Sequence, residues 1–258
     1  MWKQLGFLAA FGLTINATAS ASAAPLLVNQ LPGVMKLLDR SAEPFDLPTL
    51  DLPEGPLQAK WQEAQREIRG DLQIAAACEA TPSSCTAPEV QQFLAIVAQA
   101  QDKTGLARLG EINRQINLAI RHVSDFAQYG VEDRWTSPLA SLKAGAGDCE
   151  DYAIAKYAAL RQAGIPDSDM RLVIMRNDRT QDDHAVLAVH IDDDWRILDN
   201  RSLVMVKDRD LNHDRPMFAF NADGAKRFAD PTMVMAGAPV RPAPTTSLVE
   251  DILLTEAL

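Results

Sequence analysis

Apolar residues recur at helical spacing in three successive stretches of the chain. Leu57, Trp61, Ala64, Ile68 and Leu72 mark the first, and Val90, Phe93, Leu94 and Val97 the second. The third and longest stripe is Leu106, Leu109, Ile112, Ile116, Ile120, Val123 and Phe126, running up to Gly130. All three read as core faces. A polar connection containing Trp135 and Pro138 leads to Gly145-Ala146-Gly147-Asp148, after which the pattern predicts a helix from about Cys149 to Gln162, closed by Gly164 and Pro166. Tyr152, Ala153, Lys156, Tyr157 and Leu160 give that helix its inward face. The period then changes. Residues 171–176, 184–191 and 195–198 are short β-branched and aliphatic runs between Asp/Asn-rich turns, which predicts an antiparallel meander. Helices followed by such a sheet make an α+β fold.

The two ends differ from this body. Lys3, the apolar run from Leu5 to Ile15 and two A-x-A sites ending at Ala21 and Ala23 read as a secretory signal over residues 1–23, too short in its apolar part for a comfortable membrane anchor. Residues 24–56, with Pro32, Pro44, Pro48, Pro53 and Pro56, form a proline-rich extended segment lying on the folded body. The main domain covers 57–235, and 236–258, with Pro239, Pro242 and Pro244, is a linker with a short apolar tail.

Charge removes one class of partner: Lys and Arg number 25 against 35 Asp and Glu, for a net −10, with no basic run, so a nucleic-acid ligand lacks its cationic footprint. Export into an oxidising compartment changes how the three cysteines read. Cys78 and Cys85 flank a turn-rich loop with Pro82, Ser83 and Ser84 and are expected to pair as a disulfide. Cys149 is then left as a free thiol that opens a helix, where N–H groups and the helix dipole favour a thiolate and can receive an oxyanion.

A nucleophile needs a base from another element. His122 falls inside the third helical stripe, His190 deep in its strand and His213 in a polar turn, whereas His184 stands at a strand mouth and is the expected base. If the hairpin turn at 192–194 pairs residues whose numbers sum to 385, Asp199 lies opposite Val186 on the face of His184 and can orient its ring; a sum of 386 turns Asp199 away. Asp148, Glu150 and Asp151 crowd the thiol, and like charges oppose a second anion. Lys156 is one cation that can answer them. Two further readings stand: Asp148 as N-cap with Glu150 and Asp151 in the first helical turn, or hard oxygen ligands for Ca²⁺ with Asp133 nearby.

The residues Tyr129-Gly130, Asp133, Trp135, Pro138, Gly147-Asp148-Cys149-Glu150-Asp151-Tyr152-Ala153, His184-Ala185-Val186-Leu187 and Leu198-Asp199-Asn200 resemble the bacterial transglutaminase-like cysteine proteinases. Within them the chain is most similar to periplasmic calcium-dependent proteases that release large biofilm adhesins. The resemblance implies a papain-like or transglutaminase-like fold, Cys149 as nucleophile, His184 as general base and acid, and Asp199 as the orienting carboxylate. It also implies Ca²⁺ held by Asp148 and Glu150, with Asp151 as a further ligand. The implied partners are a large adhesin, cut in its N-terminal region, and an inner-membrane cyclic di-GMP receptor that sequesters the protease. Trp135 and Asn113 lie in the right neighbourhood to complete an oxyanion hole. An acyl transferase with the same triad and a non-catalytic calcium-linked binding module are the alternatives.

Overall fold

A computed structural model describes residues 43–229. The expected signal over 1–23, most of the proline-rich segment and the tail lie outside the described residues. The helices are α1 (Pro56–Ala80), α2 (Pro88–Gln101), α3 (Gly105–Ala119), α4 (Asp125–Tyr129), α5 (Pro138–Ala144) and α6 (Cys149–Gln162). The strands are β1 (Thr49–Asp51), β2 (Arg121–His122), β3 (Ala146–Gly147), β4 (Met170–Asn177), β5 (Asp183–Ile191), β6 (Asp194–Leu198), β7 (Val206–Lys207), β8 (Asp214–Asn221) and β9 (Gly224–Phe228). Among the described residues no helix is long and apolar enough to cross a membrane.

Seven strands form one antiparallel sheet in the order β1-β9-β8-β4-β5-β6-β7, with the predicted meander β4-β5-β6 at its centre. Alternation along the strands divides the core. Leu172, Leu187, Val189 and Leu198 join the large cluster under the helices, while Val173, Val186, Ala188, Trp195 and Ile197 form a smaller one. Phe45 and Leu47 pack on that second cluster, and β1 zips to β9 at the sheet edge. The end of the proline-rich segment therefore does lie on the body, and part of it becomes an edge strand, where proline neighbours are tolerated.

α6 is the centre of the molecule. Residues from Glu150 to Leu160 are buried all round rather than on the single face expected. Ala153, Ala155, Ala158 and Ala159 make this possible, because small side chains let the other helices and the sheet approach from every side. Pro56, the first residue of α1, is pre-set for a helix start, and Trp61 from that helix sits fully buried against Tyr157 with its indole N–H on the Asn221 carbonyl at 2.7 Å. Cys78, near the end of α1, is bonded to Cys85 across the turn Pro82–Ser84, with Cα atoms 4.9 Å apart, as the spacing predicted.

The third stripe is shorter than expected. α3 ends at Ala119, the chain extends through β2, and a new short helix, α4, starts at Asp125 under a Ser124 N-cap. β2 pairs in parallel with β3, through Arg121 N–H to the Gly145 carbonyl at 3.0 Å and Val123 N–H to the Gly147 carbonyl at 2.9 Å. His122 thus belongs to a strand and is exposed, and Phe126, counted with the core stripe, is 66% exposed.

Candidate active site

The start of α6 is built by Asp151. Its Oδ2 accepts from the Asp148 N–H at 3.3 Å, closing a capping box, and its Oδ1 accepts from the buried Thr136 N–H at 2.8 Å. Gly147 is required here, because a Cβ at that position would stand 2.5 Å from Asp151 Oδ2. Asp151 was expected among the calcium ligands. Both of its oxygens accept from backbone N–H groups, and it is not among the carboxylates that converge nearby.

Asp125, which the sequence did not single out, joins Asp148 and Glu150 instead. One oxygen each from Asp125, Asp148 and Glu150 lie within 4.8 Å of one another. Asp125 reaches the cluster from the start of α4: its N–H donates to Asp148 Oδ2 at 3.2 Å, and its own Oδ2 accepts from the Arg134 N–H. The Oδ1 atoms of Asp125 and Asp148 are buried without a hydrogen-bond partner. Buried acceptors without donors are costly, and three hard carboxylates converging in one place are the donor set Ca²⁺ prefers. The residues present therefore fit the ion. Burial, then the charges of Asp148 and Asp133, push Asp125 up to about 6, and burial with the adjoining Asp148 pushes Glu150 up as well. Asp133 is not one of the three converging carboxylates and is ion-paired with Lys60.

Cys149 is partly buried at the first position of α6. Its thiol donates to Glu150 Oε2 at 3.1 Å, and the Ala185 backbone N–H favours its thiolate. Burial first, and then the charge of Glu150, push it far above the ordinary thiol range, while the Ala185 N–H pulls it down.

Ala185 follows His184, whose ring is 2% exposed. β5 and β6 pair with Leu187 opposite Leu198 and Ile191 opposite Asp194, the sum of 385 that turns Asp199 toward His184. His184 Nε2 meets Asp199 Oδ1 at 2.9 Å. Burial alone would raise the Asp199 carboxyl, but the bond to His184, its charge and the Arg201 N–H together hold it below the usual range. The opposite ring atom, His184 Nδ1, is buried with no partner. The structure thus joins His184 to Asp199, and the thiol proton of Cys149 is turned to Glu150.

Two sequence expectations change. Lys156 does not answer the acidic cluster: it is fully buried, with its ammonium on the Leu198 carbonyl at 3.4 Å and over the Tyr152 ring at 5.8 Å. Burial brings it down to about 7, against the opposing pull of Asp199. Asn113 is not free to complete an oxyanion hole, since its amide donates to the carbonyls of Ser202 at 3.0 Å and Leu203 at 3.4 Å. Trp135 packs edge-on against Trp61 and Phe220 with Lys60 over its ring. Asp125 went unnoticed in the sequence because it lies 23 residues from Asp148, and only the β2–β3 pairing brings the two together.

A helix opening on a cysteine, beside a strand pair that carries His and Asp, is the arrangement of a papain-like or transglutaminase-like cysteine protease. The chain belongs to the bacterial transglutaminase-like cysteine proteinase family, which it matches over residues 70–211. Among solved structures it is similar to Legionella pneumophila LapG, at 22% identity and a TM-score of 0.51, over 65% of this chain and 92% of that one. The calcium-bound form of Legionella pneumophila LapG is similar at 22% identity and a TM-score of 0.50, over 73% and 98% of the two chains. At that identity the likeness speaks to the fold. No curated protein sequence matches the chain.

Proposed function

We propose that the chain is a calcium-dependent periplasmic cysteine endopeptidase that cuts the N-terminal region of a large surface adhesin. Its main support is the His184–Asp199 pair at 2.9 Å, adjoining Ala185, whose backbone N–H favours the Cys149 thiolate. In this reading His184 donates its Nε2 proton to Asp199, which fixes the tautomer and leaves the unpartnered Nδ1 as the base. The Cys149 thiol swings from Glu150 to Nδ1, gives up its proton there, and the sulfur attacks the scissile carbonyl carbon. Backbone N–H groups at the start of α6 receive the oxyanion. The imidazolium returns its proton to the departing amine, leaving a thioester. Water, deprotonated by the same Nδ1, then attacks the thioester and releases the acid and the thiol.

Asp125, Asp148 and Glu150 would hold calcium, which supplies the positive charge that makes so many carboxylates tolerable beside a thiolate. The Cys78–Cys85 disulfide supports an oxidising compartment. Sequestration by an inner-membrane cyclic di-GMP receptor completes the proposal and follows the resemblance. The test is incubation of the purified chain with N-terminal fragments of large surface proteins from the same genome, in calcium and in EGTA. One discrete cut is expected in calcium, none in EGTA and none by Cys149→Ala. Undiminished cleavage by Cys149→Ala would sink the proposal.

A further inference from the structure

Asp199 stands one residue beyond the end of β6, at the head of a connection that is not paired to the sheet again until Val206. Within that connection Leu203 and Val204 are 53% and 71% exposed. A carboxylate in such a place needs something other than sheet hydrogen bonds to hold it at an imidazole.

The holding groups come from α3. Asn117 Nδ2 donates to the Asp199 carbonyl at 2.9 Å and to the Ser202 carbonyl at 3.0 Å. Asn113, one helical turn earlier and fully buried, donates to the same Ser202 carbonyl at 3.0 Å and to Leu203 at 3.4 Å. From α6, Lys156 adds its contact to the Leu198 carbonyl, and within the turn the Arg201 N–H bonds Asp199 Oδ1 at 2.8 Å. Residues four apart on a helix project from one side, so the two amides act as adjacent prongs.

These positions are costly to keep polar. The Oδ1 atoms of both asparagines are buried with no partner. Asn113 sits among the buried Leu109, Ile112 and Ile116, where leucine would suit, while Asn117 is half-buried. What the amides provide instead is a set of bonds to the backbone on either side of the triad carboxylate.

We propose that Asn113 and Asn117 are positioning residues that clamp the 199–203 turn and thereby hold Asp199 Oδ1 on His184 Nε2. The inference rests on the protease reading above and deepens it. Loss of the clamp lets the carboxylate wander, and the imidazole loses its fixed tautomer and direction. Small misplacements of this kind cost roughly tenfold to 100-fold in turnover without touching substrate affinity.

The experiment compares wild type with Asn117→Leu by thermal melting, by the downfield proton resonance of the His184 ring N–H, and by kcat and KM on the cleaved fragment. The resonance is assigned by its loss in His184→Ala. Asn117→Leu is expected to stay folded, to broaden or lose the ring-proton signal through solvent exchange, and to lower kcat by roughly tenfold to 100-fold at an unchanged KM. If that variant does not fold, Asn113→Leu takes its place with the same expectation. A folded variant with a sharp ring proton and wild-type kcat overturns the clamp. The ring proton is read without turnover, so the clamp remains decidable even where Cys149→Ala still cleaves and the protease reading itself has failed.

Discussion

Replacing Lys156 by methionine should stabilise the protein, and by an amount that depends on pH. The ammonium is fully buried, with one 3.4 Å carbonyl contact as its hydrogen bond. An unfolded lysine holds its proton to about 10.5, the folded Lys156 only to about 7. Below about pH 7 both states are protonated and the folded state bears the whole penalty of a buried charge. Between about 7 and 10.5 the unfolded state binds more protons, so the penalty fades as pH rises. At about 1.4 kcal/mol per pH unit, the gap sets an upper bound of about 5 kcal/mol. Methionine fills a similar volume but leaves the Leu198 carbonyl without its donor, which costs about 1 kcal/mol. The net gain at pH 6 is then at most about 4 kcal/mol, a rise in melting temperature of at most about 10 °C for a chain of this size. Thermal melts of both proteins at intervals from pH 6 to pH 10 should show the difference shrinking toward zero. A gain of equal size at both ends of that range, or a loss at pH 6, would refute the reasoning.

Asp151→Ala removes the acceptor of two backbone N–H groups and should cost about 2–4 kcal/mol in urea denaturation; an unmoved midpoint would contradict the capping role. Added calcium should still raise the melting temperature of Asp151→Ala but not that of Asp125→Asn, and the reverse pattern would return Asp151 to the ligand set. Reduction of the Cys78–Cys85 bond, which closes a short loop on the rim of the helical layer, should cost about 2–3 kcal/mol and leave turnover intact when assayed below the melting temperature.

The parts of this molecule that were legible in the sequence are those fixed by local rules. Gly145 to Asp148 announced the start of α6 within a residue, and the Asp-rich turn at 192–194 allowed only two registers, one of which aims Asp199 at His184. The parts that were not legible depend on contacts distant in the chain. The stripe through Ile120 and Val123 keeps helical spacing past Ala119, yet backbone pairing with residues 145–147 pulls it into β2. Asp125 was hidden for the same reason. Asp151 stood behind Asp148 and Glu150 as a ligand, and its bond to the Thr136 N–H, 15 residues away, is a contact that local sequence does not announce. Lys156 was one candidate to answer the acids on its own helix, but the helix turns it toward the end of β6.

The β2–β3 pair sets the backbone distance between Asp125 and Asp148. Two backbone bonds, to Gly145 and to Gly147, align the chain just before each acid. Their backbone separation is therefore set largely by that pair, while the Arg134 N–H, from the excursion that joins the two acids, holds the Asp125 carboxylate itself. The stretch around Gly130 and Val131 can lengthen, shorten or change its exposed side chains while the spacing of the acids stays the same. Sequence drift at those exposed positions can remodel the surface without rebuilding the paired backbone beneath it.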